Sequence, residues 1–157
     1  MHAPRVALVT YAAFPDLWRE DRRLSEEFAR LGLDARLAVW SDPAVGWEDY
    51  TAVLLRSCWD YYLDYPAFLR WLDRLSAAAI HVFNASEVIR WNTNKRYLLE
   101  LAAAGVPVID TEVTATGRVD DLTTVAASHG WTHMVAKPTV SANGFDHNSV
   151  SFTLTAG

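Results

Sequence analysis

Apolar residues in this chain occur as short unbroken runs, separated by stretches whose apolar positions recur every three or four residues. Residues 6–11, VALVTY, form the first run. Such a run predicts a strand covered on both faces. In residues 17–32, LWREDRRLSEEFARLG, the residues Leu17, Leu24, Phe28 and Leu31 recur at helical spacing, and Gly32 follows. The spacing predicts a helix with that stripe turned inward and a glycine stop. Residues 35–40, ARLAVW, and 52–57, AVLLRS, predict a second and a third strand, with the loop CWDYYLDYP after the latter. Residues 67–79 place Phe68, Leu69, Leu72 and Leu75 on one helical face, and 80–83, IHVF, read as a fourth strand. Strands alternating with helices pair in parallel. Residues 1–84 are therefore predicted to form an α/β domain with an open, mainly parallel, Rossmann-like sheet. No G-x-G-x-x-G follows the first strand, so the dinucleotide fingerprint is absent.

From residue 85 the rhythm changes. Ser86 is placed to cap a short helix, and Asn92 or Thr93 to cap the next, whose inner stripe is Leu98, Leu101 and Ala102. Gly105 and Pro107 end that helix. Residues 106–110, VPVID, predict a strand, and 119–130 a helix closed by Gly130. Residues 132–138, THMVAKP, predict an apolar strand carrying Lys137, and a Ser/Asn/Gly loop follows. Residues 149–155, SVSFTLT, alternate like a strand. Residues 85–157 are thus a second domain, with no internal repeat.

Composition narrows the function classes. Of 157 residues, 51% are hydrophobic, which argues against disorder and for a sizeable core. The net charge of −5 and the scattered Lys and Arg exclude a nucleic-acid-binding stripe. No run approaches the ~20 apolar residues of a membrane span, and the N-terminus lacks a signal-peptide pattern. The single cysteine, Cys58, permits no internal disulfide and fits a reducing cytoplasm. No partner base accompanies Cys58, so a nucleophilic role is not indicated. His129 and His133 have the i, i+4 spacing of metal ligands, but Gly130 breaks the helix between them. No metal site is predicted.

Two lysines carry the strongest chemical signal. Lys95 falls in the predicted first turn of a helix, where the amide dipoles disfavour a cation. Lys137 ends an apolar strand, before Pro138 and the Ser/Asn/Gly loop. A cation leaving a buried strand needs an anion or water. Each lysine has a bland reading, Lys95 as a solvated side chain and Lys137 as a blunted sheet edge. Together, with a loop of available backbone N–H groups, they suit a polyphosphate such as that of ATP.

The segments NTNKRYLLELAAAGVPVIDT and MVAKPTVSANGF resemble the first half of an ATP-grasp domain. The upstream RSCWDY resembles the RSTWDY stretch of ATP-grasp ligases similar to glutathione synthetase and to cycloserine-forming enzymes, with Cys58 in place of Thr. The resemblance covers nearly the whole chain. It implies that residues 1–84 are a pre-ATP-grasp domain and that 85–157 begin an ATP-grasp α+β domain. It further implies that Lys95 and Lys137 bind ATP phosphates, and that the loop from Thr139 to Ser149, with Ser141, Asn143 and Gly144, closes over them. Asn143 stands where Gly or Ala is common. The implied activity is ATP-dependent ligation of a carboxylate to an amine or related nucleophile through an acyl phosphate, with Mg²⁺ bridging the phosphates. The adenine hinge, acidic Mg²⁺ ligands and catalytic Arg of such ligases belong to the second half. The chain is accordingly expected to be inactive alone, and to act with a complementing C-terminal half or as a homo-oligomer. The alternative is a non-catalytic binding or association module derived from a ligase.

Arg56, Trp59, Asp60 and Tyr61 follow the third strand. Ligands gather at the carboxyl ends of strands in open α/β sheets. These residues therefore read either as a binding site for a small amino-acid-like substrate or as a packed Trp beside an Arg–Asp pair. The loop AAFPDLWRED after the first strand is a further candidate by position.

Overall fold

The computed structural model describes residues 4–17, 21–114, 119–142 and 152–156. They fall into two compact units, Met1–Arg90 and Trp91–Gly157. The first holds four parallel strands, β1 (Arg5–Thr10), β2 (Asp34–Val39), β3 (Ala52–Leu55) and β4 (His81–Phe83), in the order β2-β1-β3-β4. β1 pairs on both sides, with Leu8 opposite Leu37 of β2 and Leu54 of β3. That position explains its unbroken apolar run: Ala7, Leu8 and Val9 are fully buried.

Helix α1 (Arg22–Arg30) connects β1 to β2, and α2 (Tyr65–Ala77) connects β3 to β4. The two crossovers leave in opposite directions along the sheet, so right-handed connection puts the helices on opposite faces. Phe68, Trp71, Leu72 and Leu75 of α2 are buried against Ala7, Val9 and Val53, together with Trp40 and Trp47. Each such side chain contributes roughly 1.5–3 kcal/mol by leaving water. Trp71 rather than Leu69 completes the stripe; Leu69 is partly buried. Asp64 caps α2 by accepting a 3.0 Å hydrogen bond from the Ala67 amide.

Two expectations for α1 need correction. The helix begins at Arg22, and Leu17 precedes it as a buried residue with φ of +64°. No residue of α1 is fully buried, and Leu31 is 66% exposed. Leu31 is the C-cap, outside the last helical turn, and Gly32 (φ +74°) reverses the chain directly after it.

Helix α3 (Ser86–Asn92) spans the division between the units. Ile89 packs into the first unit's core, and Arg90 donates to the Leu69 carbonyl at 2.9 Å. The second unit contains α4 (Tyr97–Ala103), β5 (Thr111–Val113), α5 (Val119–His129), β6 (Met134–Pro138) and β7 (Phe152–Ala156). Its sheet is antiparallel, in the order β5-β7-β6. The chain is therefore α/β, with a parallel sheet in the first unit and a small antiparallel sheet in the second.

Several local expectations differ here. Ser86 is the first residue of α3, not its cap. Neither Asn92 nor Thr93 caps α4, whose N-cap is Arg96. Lys95 lies in the turn before α4 rather than in its first turn. Its carbonyl accepts from the Leu98 amide at 3.1 Å, so it still stands at the positive end of that helix. Leu98 and Leu101 are partly buried and Ala102 is exposed. Residues 106–110 are not a strand; β5 starts at Thr111. Pro107 has no N–H for a ladder, and Ile109 is 63% exposed.

Candidate functional site

In the first unit, β1 and β3 are adjacent and their following helices lie on opposite faces. That is a topological switch point, and ligands of open α/β sheets bind outside the strand ends there. The loop after β1 is tied down. The fully buried Thr10 hydroxyl donates to the Phe14 carbonyl at 2.5 Å. Leu17 is held in the left-handed region, which costs a side-chain-bearing residue roughly 1–2 kcal/mol. Asp21 follows, nearly buried.

After β3, the Ser57 amide donates to the Val9 carbonyl at 3.2 Å and prolongs the β1–β3 pairing. Arg56 then reaches the Asp21 carboxylate: Nε and Nη2 donate to Oδ1 at 3.0 and 2.6 Å. The Ser57 hydroxyl donates to Oδ2 at 2.9 Å. The Asp21 side chain is 9% exposed and that of Arg56 48%. Arg56 thus pairs with Asp21, a residue that sequence reasoning did not single out. Within the run Arg19, Glu20, Asp21, Arg22, nothing in the sequence sets Asp21 apart.

The other three candidates in the RSCWDY stretch, Trp59, Asp60 and Tyr61, pack more than they present. Asp60 accepts a 2.6 Å hydrogen bond from the Trp40 indole. It borders a cavity of about 370 Å³, also lined by Trp40, Arg70 and Arg74. Trp59 lies 6.2 Å from the Tyr11 ring, and Tyr61 lies 5.3 Å from Phe68. Burial, with the Asp60 charge, raises the Tyr11 phenol above its ordinary pKa. Cys58 is buried, and burial first, then Asp60, pushes its thiol far up. A thiol kept protonated is no nucleophile.

In the second unit, the segment around Lys95 is bound to the end of β6. The Lys95 amide donates to the Thr139 carbonyl at 2.7 Å. Its ammonium donates to the Ser141 hydroxyl at 2.8 Å and the Ser141 carbonyl at 3.0 Å. Ser141 in turn donates to the Pro138 carbonyl at 3.3 Å. Two of the three ammonium protons therefore go to Ser141. Lys137 lies in β6, opposite Thr153 of β7. The Lys95 pKa is lowered, chiefly by burial and further by the Lys137 charge. Asn143, Gly144 and the rest of the loop to Ser149 lie outside the described residues, as do residues 18–20 of the loop after β1.

Among the described residues no three His, Cys, Asp or Glu side chains form a metal-binding group. His129 pairs with Glu112 at 3.5 Å and stacks on Trp131 at 4.4 Å. The donors on the described residues do not fit a Mg²⁺ site. Among those residues, no helix is long and apolar enough to cross a membrane.

The fold and its relatives define the class. The structure of the ATP-grasp ligase PsnB, complexed with a phosphomimetic variant of its minimal precursor, Mg and ADP, matches all of the chain and 66% of its own, with a TM-score of 0.58 and 14% identity. At that identity the match shows the fold of part of an ATP-grasp ligase. The crystal structure of D-cycloserine synthetase DcsG matches 98% of the chain and 59% of its own, with a TM-score of 0.82 and 27% identity. The cycloserine biosynthesis protein DcsG of Streptomyces lavendulae is 36% identical over 112 residues, 71% of this chain. The family described as D-cycloserine synthetase DcsG, N-terminal domain, matches residues 6–84, half of the chain. The chain belongs to that family. It spans 37% of the length of the S. lavendulae relative.

Proposed function

We propose that the chain forms the N-terminal part of an ATP-dependent ligase that joins a carboxylate to an amine or related nucleophile through an acyl phosphate. The observation that carries this reading is the half-buried Lys95 ammonium, tied through Ser141 and the Thr139 carbonyl to the end of the strand that bears Lys137, with its pKa lowered by burial and further by the Lys137 charge. A half-buried cation that also feels a second positive charge is relieved by an anion. A triphosphate supplies one, and charge-assisted hydrogen bonds to it contribute on the order of 1.5–3 kcal/mol each. As the γ-phosphoryl group moves, the same ammonium groups offset its charge. Asn143 and Gly144 belong to this proposed phosphate site by resemblance. Arg56, Trp59, Asp60 and Tyr61 are its proposed counterpart for an amino-acid-like substrate. Mg²⁺, which the resemblance implies, would offset phosphate charge through ligands that the described residues do not supply. We assign its ligands, and turnover itself, to further polypeptide, and the whole to the cytoplasm.

Nucleotide binding tests the reading. ATP is titrated into the chain, and Lys95→Ala and Lys137→Ala are each expected to weaken binding about tenfold or more. Equal affinity in wild type and both variants refutes the phosphate site. The chain is expected to release no ADP from ATP, whatever amino acid is added; steady release abolished by Lys137→Ala would show that turnover resides in these residues.

A further inference from the structure

We infer that Asp21 positions Arg56 as a receptor for the carboxylate of a small, amino-acid-sized substrate at the β1–β3 switch point. The inference rests on the ligase reading above and specifies which group of the substrate is recognised. Four observations lead to it. Asp21 occupies the N-cap position of α1 but makes no side-chain capping bond. Such a cap is worth about 1 kcal/mol, and α1 has no acidic residue in its first turn to replace it. Both carboxylate oxygens serve Arg56 and Ser57 instead.

The pair is also lopsided. Asp21 is buried while nearly half of the Arg56 side chain is exposed. A clamp with a purely structural role has no need to present its cation to solvent. Guanidinium carries five N–H donors in a planar fork. Asp21 takes the Nε proton and one Nη2 proton, and no other described residue engages the remaining edge. A fork fixed on one side and open on the other suits bidentate recognition of a second carboxylate. The place agrees, because Arg56 follows β3 directly, beside the end of β1. Finally, the loop that delivers Asp21 contains a buried leucine at φ +64°, and such strain gathers where a site over-determines the backbone. Asp21 is thus a positioning residue, acting through Arg56.

The test is a direct binding measurement without nucleotide. Acetate and a panel of α-amino acids are titrated into the 157-residue chain by ligand-observed NMR, with the methyl ester of each amino acid as control. At least one free acid is expected to bind and its ester to bind far more weakly. Arg56→Lys and Asp21→Asn are each expected to lower acid affinity about tenfold or more and to shrink the acid-to-ester ratio. A general structural loss would lower both ligands alike and leave that ratio unchanged. Ser57→Ala, which removes one of the two holds on Asp21, gives a smaller loss and serves if Asp21→Asn does not fold. These titrations contain no nucleotide, so failure of the phosphate site registers separately, in the ATP titrations of Lys95→Ala and Lys137→Ala. The inference is overturned if no acid binds at tens of millimolar, if acid and ester bind alike, or if Arg56→Lys keeps full affinity.

Discussion

A half-buried lysine ammonium beside a second one is unfavourable unless something negative joins them, and Lys95 carries that imprint in its lowered pKa. The sign follows directly. Below the folded-state pKa both folded and unfolded chains hold the proton, and the penalty on the charged form is present in full. As pH rises through the folded value, the folded chain releases its proton first. Stability therefore climbs until the ordinary lysine pKa is passed. Lys137→Met should raise the Lys95 pKa but not restore it, because burial is the larger cause. A carbon-detected NMR titration of the lysine side chains reads this; an unmoved Lys95 would mean that Lys137 exerts no field there. A second residue-scale tension sits in the core. Trp71 is fully buried, and its indole N–H has no hydrogen-bond partner. An unmet buried donor costs about 1–3 kcal/mol. Trp71→Ala should lose about 3–5 kcal/mol, much of a typical total of about 5–15 kcal/mol. Trp71→Phe keeps most of the ring volume and removes the orphan donor, so urea unfolding should show it losing well under half as much. Equal losses would show that the indole N–H is satisfied in solution.

Four of the helices end in the same way, and the ends explain what could be read in advance. The amides of Leu33, Ile80, Val106 and Trp131 reach back to Phe28, Leu75, Leu101 and Ala126, closing Schellman turns at 2.9 to 3.1 Å. At Gly32, Gly105 and Gly130 the turning residue has φ of +74°, +79° and +68°. These stops were legible because the left-handed turn selects glycine. The stop of α2 lacked that mark and was read two residues late, at 79 instead of 77: its turning residue is Ala79, at φ +53°, in a run of alanines. Ala79→Gly should therefore stabilise the chain by about 0.5–1 kcal/mol, the left-handed penalty less the extra freedom glycine gives the unfolded state. The urea midpoint should rise with the slope unchanged; a fall would mean that the alanine methyl contributes packing. Helix starts were less legible than stops. Ser86 looked like a cap and became a first turn, while Asp21, a true N-cap position, spends its carboxylate on Arg56. Long-range partners leave no local trace, so Arg56 was nominated and Asp21 missed. Lys95 stood out as a cation at the start of a helix and Lys137 as a cation ending an apolar run; Lys95 lies just before α4, and Lys137 is exposed in β6.

At the scale of the molecule, burial is unevenly shared. Apart from Pro138, the buried apolar side chains among the described residues lie between Val6 and Ile89. In the second unit the described polar residues that are buried are Thr93, Thr139 and Ser141, while Leu99, Val106, Ile109 and Val135 are 37% to 63% exposed. Stability follows apolar area removed from water, at about 25 cal/mol per Å². Residues 1–90 should therefore fold as a separate polypeptide, with near-ultraviolet dichroism from the Trp40, Trp47 and Trp71 cluster and a cooperative urea transition. Residues 91–157, made separately, should show no cooperative transition. The same reasoning locates the end of the first unit. Ile89 belongs to its core, and Arg90 binds the Leu69 carbonyl and the Asp73 carboxylate. A fragment ending at residue 84 loses both. It should be less stable than the fragment ending at 90 by about 1.5–3 kcal/mol for the isoleucine burial, with little added by the half-exposed ion pair. Ile89→Ala in the longer fragment should reproduce most of that loss. If the two fragments unfold at the same urea concentration, α3 adds nothing to the parallel-sheet unit, and the functional boundary lies at the end of β4.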